Sequence, residues 1–163
     1  MFAELSITSN FTFLTGASHP EEYIARAALL GMPALAIADE NSVSGIVRAH
    51  SEARNIARLV AARQAAPEHG PPRPAHIAPP PSADITNNPR LIPAAQLMFQ
   101  EGITLTALAQ NRCGWANLCR LISKGRLRVT KGTCQLRLSD LTDRAEGLVF
   151  LMHPPHALPL VGG

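Results

Sequence analysis

The chain has few aromatic residues and few cysteines. Only 4% of its 163 residues are Phe, Tyr or Trp although 46% are apolar, so we expect a core of Leu, Ile, Val and Ala. The three cysteines (Cys113, Cys119 and Cys134) are odd in number and no Cys-x-x-Cys pair occurs, which argues against a zinc site. We therefore expect reduced thiols in a cytoplasmic protein.

Long hydrophobic runs and several signature motifs are also missing. The uncharged runs are far shorter than the ~20 apolar residues that span a membrane. The first residues lack the basic and then apolar pattern of a secretory signal. Neither a Gly-x-x-x-x-Gly-Lys phosphate loop nor a Gly-x-Ser-x-Gly nucleophile elbow occurs. These absences weigh against a membrane protein, an exported protein, a P-loop enzyme and a serine hydrolase.

Acidic residues are absent from residues 103–138, which hold seven of the fifteen Lys and Arg residues of a chain with net charge +3. A block of positively charged residues without acidic ones attracts phosphate, so this segment is a candidate DNA-binding surface. A solvated basic face without a partner is an equal alternative. The candidate contacts are Arg112, Arg120, Lys124, Arg126, Arg128 and Lys131. Because Arg126 and Arg128 lie beyond the apolar stripe that ends at Ile122, reversing them to Glu is expected to leave the fold intact.

The first 65 residues alternate between strand and helix patterns. The predicted elements are a strand at 3–7, a helix from about 20 to 30, a strand at 34–38 and a helix at 42–63. Ser18 is the expected cap of the first helix, Pro20 suits its first turn, and Gly31 ends it. This order predicts a parallel βαβ unit.

A proline-rich segment divides the rest of the chain. Nine of the fourteen prolines lie in residues 66–93, which disfavours helix and central strand and predicts an extended or disordered insert. The elements expected after it are strands at 91–99 and 103–109, a helix at 112–124 capped by Asn111, a turn at 139–141 and a strand at 147–151. We divide the chain into residues 1–65, an insert at 66–90, and residues 91–163.

The ends of the first two strands resemble those of the PHP domain (polymerase and histidinol phosphatase). Metal-active members have His-x-His and Asp-His where this chain has Ser6-Ile7-Thr8 and Asp39-Glu40. The resemblance implies an α/β fold, namely a partial PHP-type βα barrel that is an incomplete, distorted form of the seven-stranded barrel and carries a proline-rich insert. It also implies that the scaffold is kept while the metal chemistry is largely lost.

Later segments resemble the N-terminal PHP domain of error-prone DNA polymerases, in the DNA polymerase III alpha subunit family. The segments are residues 90–97, 108–123 and 138–141, and residues 112–118 match an Arg-x-Gly-aromatic-x-Asn-Leu pattern. The resemblance implies a parent DNA-directed DNA polymerase that acts in replication, repair and translesion synthesis. Its catalytic palm lies beyond this chain. Because the chain is too short to close the barrel, we expect a truncated product, a fragment or a gene start interrupted by a frameshift.

The resemblance implies no catalytic residue here and no confident metal ligand. The degenerate positions are Ser6, Thr8, Asp39 and Glu40. Hydroxyls are poor ligands beside imidazole, and at most the two carboxylates would hold a magnesium ion weakly. The favoured alternative is that Asp39 and Glu40 stabilise the N-terminus of the following helix through its dipole. No other cofactor is expected.

The histidines elsewhere in the chain do not replace the missing pair. We expect His19 to be a surface or capping residue at a helix entrance, and His50 to be a partly buried structural residue. His153 and His156 lie where a ligand strand of the family would begin, and two further histidines fall in the proline-rich insert.

Three functional hypotheses result. The first is a non-catalytic structural or DNA-contacting module of an error-prone polymerase. Its partners would be DNA, bound weakly and without sequence preference, or the remaining polymerase domains. The second is a small independent PHP-type metal-dependent phosphoesterase, against which the missing His-x-His argues. The third is a non-functional remnant. We expect the isolated chain to bind no transition metal tightly and to lack nucleotidyltransferase activity.

Overall fold

A computed structural model describes residues 2–65 and 87–154, which form one curved sheet with helices packed against it. The strands are β1 (Glu4–Ile7), β2 (Ala34–Glu40), β3 (Arg90–Met98), β4 (Thr104–Ala109) and β5 (Leu148–His153). The helices are α1 (Pro20–Leu29), α2 (Ser44–Ala65) and α3 (Arg112–Leu127), and a 3-10 turn follows at Leu138–Leu141. All the elements predicted in these ranges are present, with ends displaced by no more than three residues. Most of the predicted insert lies outside the described residues.

The sheet is mixed, and its strand order follows the chain order from β1 to β5. β1 and β2 are parallel, as the βαβ pattern predicts, and β3 is also parallel to β2. The β3–β4 and β4–β5 pairs are antiparallel. The sheet curls strongly. Ser6 of β1 and Thr106 of β4 are hydrogen-bonded at 3.1 Å although two strands separate them in the sheet. The fold is therefore an α/β partial barrel with a concave inner face.

Apolar packing on the outer face of the sheet holds the helices in place. Ile24 of α1 and Ile46 and Ile56 of α2 pack against Leu35 and Ile37 of β2. A second cluster places α3 against the β3–β4 hairpin, and its members include Leu97, Ala107, Leu118 and Leu121. Aliphatic side chains dominate both clusters, as the composition predicts. Among the described helices, none is long and apolar enough to cross a bilayer.

The Arg-x-Gly-aromatic-x-Asn-Leu run forms the first half of α3 and holds the turn before β5. The Asn111 side chain accepts a hydrogen bond from the Gly114 N–H at 3.0 Å, which confirms the predicted cap. A Cβ on Gly114 would lie 1.8 Å from the Gly147 carbonyl oxygen, so only glycine allows this contact. The buried Asn117 donates to the Glu146 carbonyl oxygen at 3.0 Å. These motif residues therefore have a structural role.

Three details differ from expectation. His19, not Ser18, is the N-cap residue of α1, and its N–H donates to the Glu22 carboxylate at 2.8 Å. His50 is exposed, because the buried stripe of α2 runs through its neighbour Ala49. Pro93 lies within β3, a central strand; pairing with β4 begins only at the next residue, so its missing N–H breaks no hydrogen bond there.

Candidate functional site

The two carboxylates at the end of β2 lie on opposite faces of the sheet. Asp39 and Glu40 both belong to the strand, where successive side chains alternate between the two faces. Asp39 is 1% exposed and lies beneath the helices, whereas Glu40 is half-buried on the concave face. The structure therefore does not bring these two side chains together at one ion.

The Asp39 carboxylate is occupied by hydrogen-bond donors from the β1–α1 loop, residues 8–19. Its Oδ1 accepts from the Ser9 N–H at 2.8 Å, the Ser9 hydroxyl at 2.8 Å and the Thr12 hydroxyl at 3.2 Å. The Ser9 hydroxyl also lies 3.0 Å from Oδ2. This carboxylate thus fastens the loop to the end of β2.

Asp39 also lies against the first turn of α2. Its Oδ2 is 2.6 Å from the position that a Cβ on Gly45 would take. This placement agrees with the expected interaction between Asp39 and the helix dipole, whereas Glu40 faces away from α2. Ser9 and Thr12 were missed by sequence reasoning, and the only signal for them is the run of hydroxyl residues that follows β1.

The concave face carries a line of hydrogen-bonded side chains that joins β1, β4 and β5. The Ser6 and Thr106 hydroxyls are 3.1 Å apart, and Thr106 Oγ1 lies 2.7 Å from His153 Nε2. Thr106 is fully buried. Beside this line lies a cavity of about 580 Å³. Its lining residues are Glu40, Gln96, Met98, Gly102, Thr104, His153 and Pro154. The last described strand thus brings His153 to the sheet edge where Glu40 lies.

These side chains do not fit a multinuclear zinc or manganese centre. Ser6 and Thr106 offer neutral hydroxyls that bond to each other, and the Thr8 carbonyl oxygen accepts from the Tyr23 hydroxyl at 3.3 Å. In the described ranges, no three His, Cys, Asp or Glu side chains are placed to share an ion. Imidazole and carboxylate are each present, as His153 and Glu40, but among the described residues that line the cavity each occurs once.

Three of the six candidate DNA contacts bind other parts of the chain instead. Arg126 donates through Nε and Nη2 to the Asn41 carbonyl oxygen at 3.3 and 2.9 Å. Arg128 forms a two-pronged ion pair with Asp140, with Nη2 at 2.6 Å from Oδ1. Lys124 Nζ lies 2.8 Å from the same oxygen. Because a Glu at position 128 would lie against the buried Asp140 carboxylate, we expect reversal of Arg128 to destabilise the fold, contrary to the expectation from the sequence.

Asp140 is the buried centre of this cluster and is only 3% exposed. The Arg137 N–H also donates to its Oδ2 at 3.0 Å. Hydrogen bonds from Arg128 hold the pKa of the Asp140 carboxyl well below its ordinary value. Lys124 and the Arg137 N–H lower this pKa further, and together these effects outweigh the opposing effect of burial.

The other three candidates, Arg112, Arg120 and Lys131, are exposed. Within residues 2–65 and 87–154 their side chains have no hydrogen-bond or ion-pair partner. Arg120 also lines a shallow surface depression of about 400 Å³ together with Lys124 and Arg144. DNA binding through these residues stays a prediction.

Reversing Arg120 and Lys131 to Glu tests that prediction. If both contact phosphate, the slope of log affinity against log salt should fall by about 1.4–1.8, at roughly 0.7–0.9 for each lost contact. Binding to all DNA sequences should weaken alike, and the thermal midpoint of the chain should stay unchanged. Fluorescence anisotropy over a salt series measures the slope. The matched control reverses Arg54 and Arg58, two exposed residues of α2. An equal loss in the control would show an effect of net charge alone.

Comparison with known proteins agrees with the resemblance seen in the sequence. The chain is 35% identical over 156 residues to an error-prone DNA polymerase of Rhodopseudomonas palustris. It is 39% identical over 168 residues to an error-prone DNA polymerase of Ruegeria pomeroyi. These matches cover 95% and 94% of this chain but only 12% and 14% of the two polymerases.

A solved structure from Bifidobacterium adolescentis, assigned as a metal-dependent phosphoesterase, superposes with a TM-score of 0.47 at 13% identity. The superposition covers 77% of this chain and 33% of that protein. The PHP domain family matches residues 4–158, which is nearly the whole sequence. The resemblance is thereby confirmed, and the chain belongs to the PHP domain family.

Proposed function

We propose that this chain is the non-catalytic N-terminal PHP module of an error-prone DNA polymerase and supports the polymerase body. The observation that carries the proposal is the buried Asp39 carboxylate. Donors from Ser9 and Thr12 occupy it, so it fastens a loop instead of holding an ion. A PHP scaffold whose remaining carboxylate is used in this way is suited to structural support.

The polymerase relatives favour this role over an independent enzyme. They match the chain over almost its full length, yet the chain spans only 12% and 14% of their lengths. The proposed partners are the remaining polymerase domains, with DNA as a second contact through Arg112, Arg120 and Lys131. Replication, repair and translesion synthesis in the cytoplasm would be activities of the whole polymerase, to which this chain would contribute no catalytic group and no cofactor.

A chimera tests the proposal. The segment of the Ruegeria pomeroyi polymerase that matches this chain is replaced by the 163-residue chain. We expect a soluble chimera whose primer extension is comparable to that of the parent polymerase, because a supporting module needs only a compatible fold. A soluble parent beside an aggregated or inactive chimera would contradict the proposal and favour a non-functional remnant.

The isolated chain provides the second half of the test. We expect no hydrolysis of bis-p-nitrophenyl phosphate with zinc, manganese or magnesium, no metal retained after purification without chelator, and no primer extension. Metal-dependent hydrolysis that disappears in both Glu40→Gln and His153→Ala variants would instead establish a phosphoesterase. The Asp143→Asn variant, altered at an exposed carboxylate outside the cavity, is the matched control.

A further inference from the structure

The β1–α1 loop holds two large apolar side chains in solvent. Phe13 is 84% exposed and Leu14 is 91% exposed, and Phe11 beside them is 40% exposed. Residues 8–18 contain no charged side chain. The tip of the loop is therefore an apolar projection without charged residues of its own.

This loop is tightly fastened although its tip is exposed. The Asn10 N–H donates to the Ser18 carbonyl oxygen at 2.9 Å, which joins the two ends of the loop. Thr12, already bonded to Asp39, also accepts from the Glu40 N–H at 3.0 Å. The N–H groups of residues 15 and 16 both donate to the Thr12 carbonyl oxygen at 3.2 Å. The tip is thus held in one shape by hydrogen bonds on both sides.

Backbone geometry shows that this shape carries strain. Leu14 has a backbone φ of +64°, a conformation that residues other than glycine rarely adopt. At the neighbouring Gly16, a Cβ would lie 2.1 Å from the Ser9 carbonyl oxygen, so the loop closes too tightly for any other residue. Backbone strain and exposed apolar surface both disfavour the isolated chain, and their coincidence points to a contact made by the tip.

We propose that the β1–α1 loop docks onto the rest of the polymerase, with Phe13 and Leu14 inserted into an apolar pocket of those domains. The inference rests on the proposed function and adds the surface through which the module binds. Most of the length of the related polymerases lies outside the matched segment, so a large partner surface is available. A rigid loop with two apolar anchors loses little freedom on docking.

DNA fits this tip poorly. The loop has no Lys or Arg, and Glu40 is bonded through its backbone to the loop anchor Thr12. The unpaired basic side chains of Arg112, Arg120 and Lys131 lie on or after α3 instead. Binding to nucleic acid depends on phosphate neutralisation, which a tip without basic side chains does not provide.

The test uses two variants of the chimera, Phe13→Ser and Leu14→Gly. Glycine adopts a positive φ without strain, so Leu14→Gly should leave the thermal midpoint of the isolated chain unchanged or raise it. In the chimera the same change should reduce primer extension about tenfold, the effect of one lost anchor contact, and lower the thermal midpoint. A thermal midpoint that falls in the chimera but not in the isolated chain separates an effect on docking from an effect on folding.

Leu127→Ser is the matched control. Leu127 is 87% exposed at the end of α3, so its change removes a similar exposed apolar side chain elsewhere. If the loop variants behave like Leu127→Ser in a working chimera, docking is overturned and the proposed function stands. If they instead weaken DNA binding by the isolated chain, the loop is a DNA contact and docking is overturned. An inactive wild-type chimera overturns the proposed function and the docking with it.

Discussion

Replacing Asp39 with Ala is expected to destabilise the chain by about 3–5 kcal/mol, because it removes a buried, fully hydrogen-bonded carboxylate. Asp39 is 1% exposed and accepts hydrogen bonds from Ser9 and Thr12. Without it, one N–H and two hydroxyls lose their acceptor, and the loop loses its fastening to β2. The free energy of unfolding of a domain of this size is only ~5–15 kcal/mol, so the substitution would remove a large share of it. Urea unfolding followed by circular dichroism measures the change.

Glu40→Gln is the control for this experiment. Its side chain is half-buried and, within the described ranges, makes no hydrogen bond, so we expect a change of less than about 0.5 kcal/mol. Both variants are unfolded in the presence of EDTA. If Asp39 served only as a metal ligand, chelation would abolish the difference between Asp39→Ala and the unaltered chain. Persistence of the difference in EDTA is the expected result.

Replacing Asp140 with Ala should cost about 2–3 kcal/mol, less than the change at Asp39 because its partners reach solvent. Lys124 and Arg128 are partly exposed and can bond to water once the carboxylate is gone. Asp140 itself is 3% exposed and joins the end of α3 to the 3-10 turn. Asp143→Ala, at an exposed carboxylate just after that turn, should change the free energy of unfolding little.

The effect at Asp140 should depend on pH with a defined sign. Folding lowers the pKa of this carboxyl, chiefly through hydrogen bonds from Arg128. The stabilisation is therefore fully present above the ordinary pKa of an aspartate, ~3.9, and is lost as the pH falls toward the lower folded value. The difference between the unaltered chain and Asp140→Ala should shrink below about pH 4. A difference that stays constant from neutral to acid conditions would contradict the assignment.

Local patterns in the sequence predicted the elements of this fold because their causes are local. The apolar run at 34–38, the cap at Asn111 and the helix end at Gly31 each depend on neighbouring residues, and each is present in the structure. The antiparallel β3–β4 hairpin likewise follows from two apolar segments joined by a short turn.

Contacts between distant residues could not be predicted in the same way. Ser9 bonds to Asp39 across thirty residues, and no local pattern indicates that pair. The interpretation of the basic segment as a set of free DNA contacts failed to foresee its pairing for a related reason. Its acid-free stretch ends just before Asp140, and Arg128 and Lys124 reach forward to that residue. The count of charges along the chain therefore treated Lys124 and Arg128 as unpaired, although folding pairs both with Asp140.

One difference at the candidate site came from a single element boundary. The predicted strand ended at residue 38, so Asp39 and Glu40 were treated as a pair in a loop. The strand continues through Glu40, and its alternation separates the two carboxylates. Two more residues of strand thus place one structural carboxylate beneath the helices and one solvent-facing carboxylate on the opposite face, where the sequence suggested an adjacent pair.

The hydrogen-bonded side chains of Ser6, Thr106 and His153 affect whether histidine could be introduced at position 6, one of the two His-x-His positions. Thr106 is fully buried and lies 3.1 Å from Ser6, so an imidazole at position 6 would need the space that Thr106 now fills. His153 would then lose the partner that orients its ring. Introducing a histidine at position 6 of β1 would therefore require a change at Thr106 of β4, which in turn alters the contact with His153 of β5. The contacts among Ser6, Thr106 and His153 thus oppose the construction of a metal centre by substitution at one position alone.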